Sequence, residues 1–241
     1  MDIKGSNILI TGATGKLASK IVLYLAKAGA DCICHYNTNA DKCEKLISEI
    51  TAMGRKAIAV SGDLSGEEGI ASVFEQAKPF GPCNVLINSA SIFERLPLAQ
   101  IDFAQARRTF DINLASPIMM CRHFVETFGD CASGKIINMV DVGATKPWAD
   151  YTLYCASKAG LVAVTKSLAK ELAPRFTVNA VGPGLIDFPC GISEDEKKRQ
   201  VKMIPAARAG CGVEVAVAIK YLIENDYVTG TLINVDGGRS L

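Results

Sequence analysis

A phenol and an ammonium four residues apart, Tyr154 and Lys158, are the side chains best spaced in this chain to handle a proton. Residues at i and i+4 share one face of a helix, and TLYCASKAGLVAVTK reads as one. A nearby positive charge favours the ionised phenol, which makes such a tyrosine a useful proton donor. Thirteen residues earlier, Asp141 closes the apolar run KIINMV. That is the C-terminal end of a strand, where open parallel sheets bind their ligands. A carboxyl, a phenol and an ammonium then converge, provided that a strand, a loop and a helix follow in that order.

The rest of the chain supplies such a frame. SNILITG, DCICHY, KAIAVSGDL, NVLINSAS, KIINMVD, TVNAVGPG and TLINVDGG are seven strand signals. They alternate with helical patterns at 17–29, 40–54, 102–128, 151–173 and 214–224, the order of a doubly wound α/β sheet with helices on both faces. At 241 residues and 49% hydrophobic, the chain fits one domain over 1–241 with ample core. Twenty-six basic and 25 acidic residues leave a net charge of +1 with no long like-charge run, which argues against nucleic-acid or membrane-surface partners. No run of eighteen apolar residues and no leader pattern occurs, so a soluble, cytoplasmic protein is expected. Nine scattered cysteines without a CxxC pair, and only two histidines, support neither a disulfide framework nor a metal site.

Two turns carry further chemistry. TGATGKLASK follows the first strand, and glycine there lets backbone amides approach a pyrophosphate at a helix start; a plain tight turn is the alternative. Gly12, Thr14, Lys16 and Leu17 are its candidate ligands. After the second strand, HYNTN offers no acid of the kind that NAD sites place on the ribose and Asp41 comes too late, which favours NADP(H), with Tyr36, Asn37 and Thr38 as candidates. Asn37 and Thr38 also suit an ordinary polar loop. Asp63 either borders a ligand or caps the following helix.

The YxxxK pair, the Gly-rich turn and the NSAS stretch together resemble the short-chain dehydrogenase/reductase family over essentially the whole chain. The resemblance implies a Rossmann-type fold, Tyr154 as catalytic acid/base and Lys158 as its pKa-lowering, ribose-binding partner. It also implies Asn113 as relay support in a distorted helix, Asp63 and Leu64 beside the adenine, and Asn88, Ser89 and Ala90 near the nicotinamide ribose. Pro183 and Gly184 would pass beside the carboxamide. Lys16 and Ala18 stand where the family pattern has glycines, and Asp141 stands where a serine is usual. An acid at that place is similar to the pteridine reductases, as are a basic residue at 16, Ser91 in contact with a pterin, and Phe93 stacked on it.

Each of these has a plainer alternative: a loop phenylalanine is more often core, and Asp141 suits a cap. Trp148 either walls the substrate or packs on a neighbouring loop, and Leu185 faces the pocket at the start of a lid over about 185–210. The expectation is an NADPH-dependent reductase of a dihydropterin or dihydrofolate, acting as a homotetramer in which Arg239 approaches a neighbouring site. The rivals are a carbonyl reductase of the same family, for instance on 3-oxoacyl thioesters, and a non-catalytic pterin- or NADP-binding regulator.

Overall fold

A computed structural model describes residues 1–129, 133–188 and 191–241. The aliphatic runs form seven strands: β1 (Asn7–Ile10), β2 (Asp31–Tyr36), β3 (Ala57–Ser61), β4 (Val85–Asn88), β5 (Gly134–Met139), β6 (Phe176–Pro183) and β7 (Leu232–Val235). All pair in parallel in the order β3-β2-β1-β4-β5-β6-β7. The strand order reverses between β1 and β4, the switch point at which such sheets bind ligands.

Alternation along each strand feeds two cores. Ile8 and Ile10 of β1, with Val85 and Ile87 of β4, meet α1 (Lys16–Lys27), α2 (Ala40–Ala52) and α8 (Gly212–Glu224). Leu9, Ile33 and Leu86 point the other way, toward α3 (Glu67–Ala77) and α5 (Ser116–Phe128). Burying one large side chain such as Phe124 contributes roughly 1.5–3 kcal/mol, and both faces are lined with them. The remaining described helices are α4 (Phe103–Phe110), α6 (Thr152–Glu171) and α7 (Glu194–Lys202).

The helix expected over 102–128 is not one continuous α-helix. α4 starts at a capping box, where Asp102 and Gln105 satisfy each other's end groups. It runs into a π turn at Asp111–Ala115, and α5 follows. Pro117, second in α5, offers no N–H to the preceding turn, which suits a local change of pitch. The helix at 67–77 carries Ile70, Val73, Phe74 and Ala77 at helical spacing, a signal the sequence reading passes over, whereas the one at 194–202 has no buried residue to give it an apolar stripe.

Candidate active site

The C-terminal ends of β1 to β6 open on two adjoining cavities of about 590 and 440 Å³ that share Gly12, Gly15, Ser89 and Ser91. Thr11 ties the turns that border them, its Oγ1 accepting the Ser89 and Ala90 N–H groups at 2.9 and 3.0 Å. Gly12 sits at φ +64, and a Cβ there would lie 3.0 Å from Ala90 Cα, so a side chain would be strained and would force the turns apart.

The larger cavity is lined by Thr14, Asn37, Thr38, Asp63, Leu64 and Ala90 among others. Its walls suit a dinucleotide. Gly15, shared by both cavities, is the N-cap of α1 and offers no side-chain cap, so the helix geometry leaves the first amides of Lys16, Leu17 and Ala18 open to an anion where the larger cavity adjoins the smaller, which these three residues line. Asp63 accepts the Ser65 N–H at 2.9 Å, which holds its carboxyl below the usual range; it closes a turn, while Gly66 caps α3.

The smaller cavity brings together Phe93, Asp141, Tyr154 and Lys158, with Lys16, Leu17, Pro183 and Gly184 on its other walls. Tyr154 Oη donates to Asp141 Oδ2 at 3.1 Å, and the Gly143 N–H donates to Oδ1 at 2.8 Å. Lys158 is 3% exposed and donates to Met139 O at 2.9 Å, its ammonium 5.8 Å from the Tyr154 ring centre. Burial pushes the Asp141 carboxyl up, against the pull of the Gly143 N–H, Tyr154, Lys158 and Arg239. Burial also brings Lys158 down to about 8, with Asp141 opposing.

The expected lowering of Tyr154 by Lys158 is not what the geometry produces. Burial first, and the Asp141 carboxyl next, hold the phenol far above its ordinary range. A serine at 141 would carry no such charge; with an acid there, Tyr154 keeps its proton.

Four expected contacts fall elsewhere. Strand alternation puts Tyr36 on the same side as Cys34, half-buried against the α1 and α2 face, and turns His35 into the cavity instead. Asn88 faces α5, its Nδ2 3.5 Å from Cys121 Sγ there, and donates to Asn138 Oδ1 of the neighbouring β5 at 2.9 Å. Leu185 uses its carbonyl to accept the Gly210 N–H, and Ile186 takes the wall position. Trp148 stands behind the wall, edge-on to Phe93 at 6.3 Å and stacked on Tyr154 at 6.5 Å.

Asn113, fully buried in the π turn, lines neither cavity. Its Oδ1 accepts from Ile92 N and Ser91 Oγ at 2.7 and 3.2 Å, and its Nδ2 donates to Ile92 O and Ser157 Oγ at 2.9 and 3.2 Å. That clamp fixes the segment carrying Ser91 and Phe93. Phe93, 58% exposed, stacks on Tyr151 at 4.9 Å and meets Tyr154 edge-on at 4.8 Å. Lys16 donates to Phe188 O at 2.8 Å, anchoring the segment after β6. Arg239 acts on Asp141 of its own chain, whose Lys146 holds the tail through the carbonyls of Arg239 and Leu241 at 3.2 and 2.5 Å. Sequence reasoning missed His35, Ile186 and Tyr151; the period-two pattern of DCICHY was the available signal for His35.

A profile of the short chain dehydrogenase family matches residues 6–199, and the chain belongs to this family of oxidoreductases, which work with NAD or NADP. It is 31% identical to a 3beta-hydroxysteroid dehydrogenase of Eggerthella lenta, over 100% of this chain and 95% of that one. It is likewise 31% identical to a 3-oxoacyl-[acyl-carrier-protein] reductase of Staphylococcus epidermidis, over 95% and 97%. Among solved structures it resembles the FolM alternative dihydrofolate reductase 1 of Brucella canis complexed with NADP. There the TM-score is 0.91 and the identity 29%, over 100% of this chain and 96% of that one.

Among the described residues no group of histidines, cysteines and acids is placed to hold a metal ion, and no helix is long and apolar enough to cross a membrane.

Proposed function

We propose that this protein is a pteridine reductase-like enzyme that uses NADPH to reduce a dihydropterin or dihydrofolate at a C=N bond. The observation that carries the reading is the Tyr154–Asp141 contact at 3.1 Å, between a phenol held protonated and a carboxyl raised by burial. The dinucleotide, when bound, supplies the hydride. Reduction of C=N also demands a proton on nitrogen. Tyr154 holds one at its hydroxyl oxygen, and Asp141, protonated more readily than an ordinary acid, replenishes it. Lys158 brings positive charge to the ribose side of the cavity, and Asn113 holds Ser91 and Phe93 in place.

Phe93 presents an exposed ring beside the proton donors, a surface for a flat heterocycle. Asn37, Thr38 and the absence of an acid at that edge of the larger cavity support NADPH over NADH. The polar α7 lies within the lid proposed for about 185–210, whose base is tied by Asp187 N–H to Gly210 O at 3.1 Å; residues 189 and 190 of that span lie outside the described ones. We further infer a cytoplasmic homotetramer, without nucleic-acid or membrane partners. The exposed stripe Val213, Val217 and Tyr221 on α8 supports self-association, which light scattering tests.

A second reading, a carbonyl reductase, is favoured by the similarity to a 3-oxoacyl-[acyl-carrier-protein] reductase. NADPH consumption with a dihydropterin beside a 3-oxoacyl thioester separates the two, in wild type and Asp141→Ser. Pterin turnover that collapses in the variant supports the first; thioester turnover with an inert pterin refutes it.

A further inference from the structure

One titratable side chain in the larger cavity has no part in the chemistry above. His35, 2% exposed, points from β2 into the cavity wall. Its Nδ1 accepts the Gly12 N–H at 3.1 Å, and its Nε2 pairs with Gly62 O at 2.9 Å. An amide only donates and a carbonyl only accepts, so the two bonds assign the neutral ring with its proton on Nε2. The His35 carbonyl meanwhile accepts the Ala13 N–H at 2.8 Å.

A single planar ring thus links the glycine turn after β1 to the segment after β3. Both segments border the cavity, through Gly12 on one side and Asp63, next to Gly62, on the other. Gly12 has little freedom to drift, being at positive φ and in close approach to Ala90. The bonds of His35 set how far the Asp63 segment stands from it.

We propose that His35 is a positioning residue for the dinucleotide: its two hydrogen bonds hold the Gly12 turn and the Asp63 segment at the separation that the cofactor requires. The inference rests on the family's use of NAD or NADP, and is independent of which substrate is reduced.

Protonation would undo the brace, because an imidazolium has two donors and no acceptor for the Gly12 N–H. The charged groups facing this region are Asp63, beside the ring, and Arg108 of α4 on the cavity lining. Burial holds the imidazole below its usual value, against the Gly62 carbonyl and Asp63, so the loss belongs to the acid side.

The test is titration of NADP⁺ binding by calorimetry between pH 5 and 8, for wild type, His35→Gln and His35→Leu. Glutamine keeps one acceptor and one donor on a planar group; leucine fills space and keeps neither. At pH 8, His35→Leu should bind roughly tenfold more weakly, with His35→Gln within about threefold of wild type. On acidification wild type should lose affinity more steeply than His35→Gln, since titration of the cofactor phosphate is common to both and Asp63, held below the usual carboxylate range, stays ionised throughout. Equal affinity in His35→Leu, or the same acid limb in His35→Gln as in wild type, would overturn the proposal. If His35→Leu does not fold, the comparison of pH limbs decides alone.

Discussion

Two buried lysines flank the two ends of β5, and they differ in what answers their charge. Lys135, at its start, is 2% exposed and meets Asp226 at 2.7 Å; that pairing, together with the N-terminal ammonium, holds the Asp226 carboxyl down to about 2. Lys158, on α6 beyond the strand's other end, is just as buried, but its hydrogen bond goes to the Met139 carbonyl. Among the described residues no ion pair forms there, and its charge is held so weakly that it titrates near 8. A paired buried charge is a structural device. An underpaired one, beside an acid raised by burial and a phenol that keeps its proton, is the poised arrangement expected where protons move.

Removing the phenol should break the reactive end most severely. Tyr154→Phe is expected to lower kcat by about 10²–10⁴-fold, the usual weight of a positioned general acid. Its melting temperature should change little; steady-state rates and a melting curve read both. Wild-type activity for comparison should fall in two stages as pH rises, the first on the acid side of the second. The acid form of Asp141 is lost as pH rises through its raised pKa, and the Lys158 charge is lost as pH rises through about 8. Asp141→Asn should reduce kcat with a pterin by roughly 10–100-fold and leave only the second stage in the pH–rate profile. A profile unchanged by the substitution would remove Asp141 from the proton path.

At the opposite end of the strand, Asp226→Asn should act on stability and not on rate. Orphaning a buried charge costs about 3–5 kcal/mol. Asp226 is 67% exposed and water can replace it, so about 1 kcal/mol is expected, a fall in Tm of roughly 2–4 °C, with kcat and KM intact. A loss of activity at unchanged Tm would erase the contrast between the two lysines. The smallest effect belongs to the substrate surface: Phe93→Ala should raise KM for a pterin by about 3–10-fold, matching roughly 0.5–1.5 kcal/mol of stacking. An equal rise for an aliphatic thioester would show that the ring packs without selecting planar substrates.

Hydrophobic periodicity makes the sheet legible in the sequence: each of the seven strands coincides with an apolar run between turn residues. The Tyr154–Lys158 face and the placement of Asp141 at a strand end are legible for the same reason, because helix and strand geometry are local. The break at Asp111–Ala115 is legible only through the resemblance, which implies a distorted helix at Asn113, and through Pro117; the apolar spacing by itself runs on as one helix. The dispersal of Tyr36 and Asn88 away from the cavity is not legible. Adjacent strand residues point to opposite faces, and which face meets the ligand depends on how the sheet is covered.

The sequence by itself determined the order of the strands and of most helices, the proton-handling trio, and the missing acid after β2, because each depends on residue type and short spacing. Only the tertiary structure decided the charge states. Burial outweighs the nearby ammonium and keeps Tyr154 protonated, raises Asp141 and lowers Lys158. Those shifts arise from desolvation by residues far apart in the chain, a quantity that no local pattern encodes.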